Sequence, residues 1–143
     1  MIYSGNGGST AGTLEDLPKT VATTTSFLRK HLDKFDYIAV TGLSGILVGA
    51  PVALKLKVPL VVVRKPNESS HQWSTPSADG AGVRVGKNPN MSRFIFLDDF
   101  ISSGATRSYV VESLPEDEIV GTVLYHGEWD KGFTSKYLTA EWV

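Results

Sequence analysis

Short apolar runs alternate along this chain with longer segments in which apolar residues recur at helical spacing. The runs are of strand length and rich in branched and aromatic side chains, whereas the longer segments carry an apolar stripe. The predicted strands are 36–40, 60–63, 94–97 and 119–125. The predicted helices are 14–35, 46–57 and 106–114. This order predicts an α/β domain with a mostly parallel twisted sheet flanked by helices.

Three features interrupt the alternation. Pro51 lies within the second predicted helix and indicates a kink or a late helix start. The stretch 64–92 is polar and rich in Pro and Gly, which is typical of a functional lid or of a disordered connection. Within it, 83–85 has the pattern of one arm of a small hairpin. The terminal segments 1–35 and 126–143 flank a core at about 36–125, and we expect one or both of them to form a small hood.

Composition narrows the class of protein. The 143 residues suffice for one domain, so 1–143 is predicted to be a single unit, and the net charge of −1 offers no basic surface for nucleic acid. The lack of cysteine excludes disulfides, thiolate metal sites and a cysteine nucleophile. No apolar run approaches the roughly 20 residues of a membrane span, and the first residues lack a signal-peptide pattern. A cytoplasmic protein without membrane or nucleic-acid partners is expected.

The segment after the third predicted strand carries the clearest chemistry. Asp98 and Asp99 stand where that strand ends, which is where open parallel sheets bind ligands. A loop of small residues follows and leads into a helix, so that its N–H groups and hydroxyls converge on one anion. The loop residues are Ser102, Ser103, Gly104, Ala105 and Thr106. This order predicts a sugar-phosphate site; a buried strand that ends in a solvated acidic turn is the simpler alternative.

The segment 94–106 resembles the motif with which type I phosphoribosyltransferases bind phosphoribosyl pyrophosphate (PRPP). Both have an apolar strand, two acids, two apolar residues and a loop of small residues that ends in Thr. The resemblance implies that Asp98 and Asp99 bind the ribose hydroxyls and serve catalysis, and that the loop from Ser102 to Thr106 binds the 5-phosphate. It covers 36–125 and fades towards both ends of the chain.

The same resemblance extends to the turn after the first strand, where the family has its pyrophosphate loop. It implies that backbone N–H groups bind pyrophosphate along Thr41, Gly42, Leu43, Ser44 and Gly45. This turn lacks the Gly-x-Ser-x-Gly spacing of serine hydrolases, so Ser44 is a poor nucleophile candidate. Arg64 and Lys65, after the next strand, are candidates for pyrophosphate binding and catalysis; two solvated charges at a strand end are an equal alternative.

The base-binding part of the site is the least defined by the sequence. The candidates are Ile101 beside the acids and Trp129 and Phe133 in the tail, whose rings offer an apolar face to a base. A hydrophobic plug over the sheet edge is an equal alternative for the tail. Ser102 stands where the family's 6-oxopurine enzymes carry an acid, which argues against hypoxanthine and guanine. The segment 63–66 leads into the long loop as it does in many family members, notably those that use adenine, so the resemblance favours a purine, such as adenine, over a pyrimidine.

The implied reaction is displacement of pyrophosphate from C1 of the ribose by a ring nitrogen of a nucleobase, as in purine salvage. Its transition state resembles an oxocarbenium ion, and catalysis consists of positioning and charge stabilisation. The resemblance also implies Mg²⁺ held mainly through PRPP, with no metal site of the chain's own, and a homodimer. The alternatives are a non-catalytic PRPP- or nucleotide-binding regulatory or partner-binding module, and another use of PRPP such as amination or hydrolysis.

Overall fold

The structure is a computed structural model that describes residues 17–64, 83–84, 91–99, 101, 103–126 and 138–143, with the backbone alone at 83–84. Three α-helices and six strands lie in these ranges. The helices are α1 (Leu17–Arg29), α2 (Gly42–Leu56) and α3 (Ala105–Ser113), with a 3-10 turn at Leu32–Lys34. The strands are β1 (Tyr37–Val40), β2 (Leu60–Val62), β3 (Val83–Arg84), β4 (Arg93–Asp98), β5 (Glu118–Leu124) and β6 (Thr139–Trp142).

The strands form one sheet in the order β3-β2-β1-β4-β5-β6. The four inner strands are parallel, with Val40 beside Val62 and Ala39 beside Phe96. The short strands β3 and β6 run antiparallel at the two edges. The predicted α/β class with a mostly parallel sheet is therefore confirmed, and the predicted hairpin arm near 83 is a short strand that pairs with β2.

The two faces of the sheet carry separate hydrophobic clusters because successive strand residues point to opposite faces. Ile38 and Val40 belong to the cluster that α1 and α2 cover, whereas Tyr37 and Ala39 belong to the cluster that α3 covers. All four are fully buried. Helices therefore lie on both faces, which is why the inner strands have near-continuous apolar sequences.

Helix α2 begins earlier than the sequence suggests. It starts at Gly42 directly after Thr41, which is extended at φ −147° and ψ 147°, and it runs through Pro51. The predicted start at residue 46 is therefore wrong, as is the later start that Pro51 indicated. A Cβ on Gly45 would lie 3.1 Å from the Cβ of Val40, and one on Gly49 would lie 2.7 Å from the Cγ1 of Val40. These glycines let the helix approach β1 closely, and this tertiary packing outweighs their weak helix propensity.

The first helix is also shorter than predicted. Helix α1 ends at Arg29, and the chain continues through the separate 3-10 turn rather than as one helix to residue 35. The three threonines at 23–25, which favour helices only weakly, lie inside α1, and Thr24 and Thr25 are buried. None of the described helices has the length and apolar character needed to span a membrane.

A polar cluster joins the amino ends of the inner strands, at the end of the sheet opposite the acids. Asp36 accepts hydrogen bonds from the backbone N–H groups of Ser92 and Arg93 and forms a 3.0 Å ion pair with the Arg93 guanidinium. The bond to this guanidinium is the main reason that the pKa of Asp36 falls to about 2. Nearby, the buried Tyr37 donates its hydroxyl to Asp117. These contacts join β1, β4 and the turn before β5.

The edge strand β6 is held by Trp142. Its ring lies against Gly121 of β5, where a Cβ would come within 2.5 Å of it, and it stacks near Phe27 with ring centroids 6.3 Å apart. His31 also contacts this ring, at 4.8 Å between centroids, and the Lys34 ammonium lies 4.7 Å above it. Trp142 thus connects the last strand to the end of α1. Most of the predicted hood and lid lies outside the described residues.

Candidate active site

The candidate site lies where the direction of strand addition reverses. From β1 the sheet extends to β2 on one side and to β4 on the other, and the helices that follow β1 and β4 pack on opposite faces. A crevice at the carboxyl ends of such strands is the common ligand site of open α/β sheets. The end of β4 with its two acids and the start of α2 after β1 border this crevice, as the motifs predict.

Asp98 is the best-enclosed carboxyl of the site. Its side chain is 8% exposed, and its Oδ1 accepts hydrogen bonds from the Ser44 hydroxyl at 3.2 Å and the Asp99 N–H at 2.9 Å. Burial, together with the charge of the adjacent Asp99, raises the pKa of Asp98 to about 8. The Asp98 carboxyl therefore binds a proton more readily than an ordinary aspartate, while the half-buried Asp99 lies closer to solvent.

The first turn of α2 presents backbone N–H groups to the crevice. The Thr41 hydroxyl does not cap this helix; it donates instead to the Val63 carbonyl at 2.7 Å and ties β1 to the end of β2. Gly42 has φ +75°, and Leu43 is exposed. The amides of 41–44 are those that lack intrahelical partners, so this turn can bind an anion. The amide of Gly45 already belongs to the helix, and Gly45 serves packing against Val40.

The small-residue loop leads into α3 through a left-handed glycine. Gly104 is the N-cap with φ +85° and ψ 0°, and no described atom lies within 4 Å of the position a Cβ would take. Ser103 Oγ accepts a 3.3 Å hydrogen bond from the Ala105 N–H, and Thr106 lies one residue further into the first turn. A non-glycine residue at 104 is strained, and the open space beside it suits an anion.

Arg64 lies beyond β2, next to the same crevice. Its residue is 9% exposed, and its carbonyl accepts a 2.8 Å hydrogen bond from the Tyr109 hydroxyl of α3. This bond joins the segment after β2 to the helix that follows the acid pair. A largely enclosed Arg at the carboxyl end of β2 differs from a fully solvated charge.

The structure brings together most of the residues that the sequence singles out. Asp98, Asp99, Ser44 and the N-termini of α2 and α3 border one crevice, and Ile101 is half-buried just after the acids. Lys65, Ser102, Trp129 and Phe133 lie outside the described residues. Their predicted roles remain predictions.

Two tyrosines that contact the site are not predicted from the sequence. Tyr125 is 3% exposed and donates its hydroxyl to the Ser44 carbonyl at 2.9 Å, and Tyr109 makes the equivalent bond to Arg64. A tyrosine at a strand end or on a helix face is typical of a hydrophobic core, so neither carries a local signal. What distinguishes them is the target of each hydroxyl, which is a backbone carbonyl of a predicted pyrophosphate-binding segment.

The donor chemistry of the site is compatible with Mg²⁺. Paired carboxylates are hard oxygen ligands of the kind that this ion prefers. Within the described ranges, however, no group of three or more His, Asp or Glu side chains is arranged to hold a metal. Asp98 and Asp99 are the described carboxylates at the crevice that have this donor chemistry.

Among known proteins, this chain is similar in sequence to adenine phosphoribosyltransferases. No family model matches the chain. The chain is 33% identical over 82 residues to adenine phosphoribosyltransferase from Borreliella burgdorferi. This alignment covers 53% of this chain and 47% of that protein. The chain is also 37% identical over 78 residues to adenine phosphoribosyltransferase from Malacoplasma penetrans, which covers 50% and 45%. The chain spans about half the length of the curated relatives it matches.

Solved structures agree with these matches. Adenine phosphoribosyltransferase from Thermoanaerobacter pseudethanolicus has a TM-score of 0.53 at 27% identity, over 80% of this chain and 72% of that one. The resemblance to the type I phosphoribosyltransferases is confirmed. The enzyme from Trypanosoma brucei, solved with AMP, pyrophosphate and ribose-5-phosphate, has a TM-score of 0.54 at 22% identity, over 78% of this chain and 53% of that one. The sheet described above is thus the type I phosphoribosyltransferase fold.

Proposed function

We propose that this chain is a PRPP-dependent phosphoribosyltransferase that transfers ribose-5-phosphate to a purine base and releases pyrophosphate. The observation that carries the proposal is the 3.2 Å hydrogen bond between Ser44 and Asp98. It brings an anion-binding helix start and a ribose-binding acid to one crevice, and the substrate needs both at once. The match to adenine phosphoribosyltransferases supports the reaction class.

Each part of PRPP has a complementary element in this proposal. Asp98 and Asp99 accept hydrogen bonds from the ribose hydroxyls, and the N-terminus of α3 after Gly104 binds the 5-phosphate. The N-terminus of α2 binds the pyrophosphate, with Arg64 and Lys65 opposing its charge. Two helix N-termini on opposite faces of the sheet supply positive potential at the two phosphorylated ends of one sugar.

Catalysis follows from this arrangement without a protein nucleophile. As the bond between C1 and pyrophosphate breaks, negative charge grows on the leaving group and positive charge on the ribose. The amides at the start of α2 stabilise the former, and the acid pair next to the ribose stabilises the latter. Burial raises the pKa of Asp98, and the positive charge that develops on the ribose favours the ionised form of this carboxyl.

Magnesium belongs to the proposal as a cofactor that neutralises the pyrophosphate when bound. Asp98 and Asp99 are the described side chains suited to contact it, directly or through water. The remaining ligands come from the substrate. PRPP and a nucleobase are the proposed small-molecule partners, and a homodimer is the proposed assembly. We retain the single-domain organisation, the hood and the cytoplasmic location as parts of the same proposal.

Adenine is the proposed base. The curated relatives carry that specificity in their names, and the position of Ser102 in the sequence argues against 6-oxopurines. Trp129, Phe133 and Ile101 are the proposed contacts to the base. Stacking of a base on an aromatic ring requires only an apolar face, and backbone groups nearby read its edge.

The test is a titration of the chain with PRPP and Mg²⁺ by calorimetry, followed by assays of pyrophosphate release with a panel of bases. Release with adenine alone establishes the proposed reaction, and release with another base corrects the specificity. Tight PRPP binding without release with any base identifies a sensing module instead. Absence of PRPP binding overturns the proposal. Sedimentation of the same sample tests the homodimer.

A further inference from the structure

The end of β5 and the start of α2 are joined by one buried side chain. Tyr125 directly follows β5, is 3% exposed, and donates its hydroxyl to the Ser44 carbonyl at 2.9 Å. Its own N–H donates to the Asp98 carbonyl at 3.0 Å. Tyr125 is therefore hydrogen-bonded to both sides of the crevice. Its backbone N–H binds the end of β4, and its hydroxyl binds the first turn of α2.

Ser44 is thereby held at two points. Its carbonyl accepts the Tyr125 hydroxyl, and its own hydroxyl donates to Asp98 Oδ1 at 3.2 Å. A helix carbonyl has two lone pairs, so it accepts the tyrosine in addition to its intrahelical partner. A rotation or translation of the first turn of α2 would break both bonds. The Tyr125 ring belongs to the hydrophobic cluster beneath α2, which restricts its own movement.

We propose that Tyr125 is a positioning residue that sets the distance between the pyrophosphate-binding turn of α2 and the ribose-binding acids. This inference rests on the proposed function. The ribose and the pyrophosphate of PRPP are covalently linked, so their two binding elements must match a fixed separation. Tyr125 touches neither group; it acts through Ser44 and the backbone of Asp98.

The decisive variant is Tyr125→Phe, which removes the hydroxyl and keeps the ring. Tyr37→Phe is its matched control. Tyr37 is also buried, and it donates its hydroxyl to Asp117 at the amino ends of the strands, away from the site. We expect both variants to lose a few degrees of melting temperature. We expect only Tyr125→Phe to lower kcat about tenfold, with the KM for the base unchanged, because misalignment is felt mainly in the transition state.

A double-mutant cycle with Ser44→Ala tests the route. If Tyr125 acts through Ser44, the kcat losses of the two single variants add up to clearly more than the loss in the double variant. Fully additive losses, or equal kcat values in Tyr125→Phe and Tyr37→Phe, overturn the proposal.

A second readout keeps this inference separate from the proposed function. Crystal structures of the unliganded Tyr125→Phe and Tyr37→Phe variants need no turnover. Without the Tyr125 hydroxyl, Ser44 loses one of its two attachments, so the distance between Ser44 Oγ and Asp98 Oδ1 should increase beyond 3.2 Å. A longer distance in Tyr125→Phe but not in Tyr37→Phe supports the positioning role even if the chain releases no pyrophosphate. An unchanged distance overturns it even in an active enzyme.

Discussion

The Ser44 hydroxyl and the Asp98 carboxyl lie 3.2 Å apart, although α2 and the end of β4 are distant in the chain. This bond joins the start of the helix after β1 to the acid that ends β4. It spans the crevice where the sheet reverses its direction of strand addition. The enclosure that permits the bond also raises the pKa of Asp98, which makes the site itself a source of pH dependence.

Stability of the unliganded chain should fall as pH rises from about 4 to about 8. The pKa of Asp98 is raised from 3.8 to about 8, so the folded chain binds more protons than the unfolded chain across this window. Asp98→Asn removes this penalty and should be more stable than the parent at pH 8 by at least about 1 kcal/mol. Urea unfolding at pH 5 and pH 8 measures it; parallel pH profiles for the two proteins would contradict it.

The contribution of Asp36 to stability should depend on pH in the opposite direction. Its pKa is lowered to about 2 by the hydrogen bond from Arg93 and by backbone N–H donors, so its contribution is present above pH 3.8 and is lost as pH falls towards 2. Asp36→Asn should cost about 1–2 kcal/mol at pH 7 and little near pH 2. Thermal unfolding between pH 2 and 7 tests this, with Asp33→Asn, in the neighbouring 3-10 turn, as the control. A penalty that persists at pH 2 would show that the charge is not responsible.

Substitution of Gly104 should separate backbone strain from phosphate binding. At φ +85° an alanine costs about 1–2 kcal/mol, whereas asparagine tolerates this conformation better. Gly104→Asn should therefore keep more stability than Gly104→Ala, yet both should weaken PRPP binding because each places a side chain beside the first turn of α3. Melting temperatures and calorimetric titrations give the two quantities. Undiminished PRPP affinity in both variants would remove this turn from the site.

Gly49→Ala should displace α2 from the sheet. The added Cβ would lie 2.7 Å from Val40 Cγ1, and overpacking of this kind costs about 1–3 kcal/mol. Leu54→Ala on the same helix is the control, because Leu54 is 79% exposed and should change stability by less than about 0.5 kcal/mol. Denaturant unfolding compares the two. Equal stability of both variants would mean that the space between α2 and β1 accommodates the added methyl group without a clash.

The sequence predicts those parts of the fold that local patterns encode. Apolar runs mark the inner strands, and the acid pair with its small-residue loop marks the end of β4. The start of α2 at Gly42 is not predicted, because glycines weaken a helix locally and favour it here only through packing on Val40.

Side-chain partners across the crevice are equally invisible in the sequence. The hydrogen bonds of Tyr125 to Ser44 and of Thr41 to Val63 depend on which strands become neighbours. A tyrosine or threonine at a strand end has many possible partners, and its choice is made by tertiary structure. Residue types at the site are thus readable from the sequence, whereas their mutual arrangement is not.

The pairing of β1 with β4 has a consequence for the order of folding. Tyr37 pairs with Phe94, whereas β1-α2-β2 and β4-α3-β5 are each local units. Closing a long loop costs entropy before its contacts form, and such distant pairings slow folding. One local unit contributes Ser44 and the other contributes Asp98. The hydrogen bond between these residues therefore forms only after the two units have paired. A probe of that single hydrogen bond would therefore report when the two halves of the chain have joined.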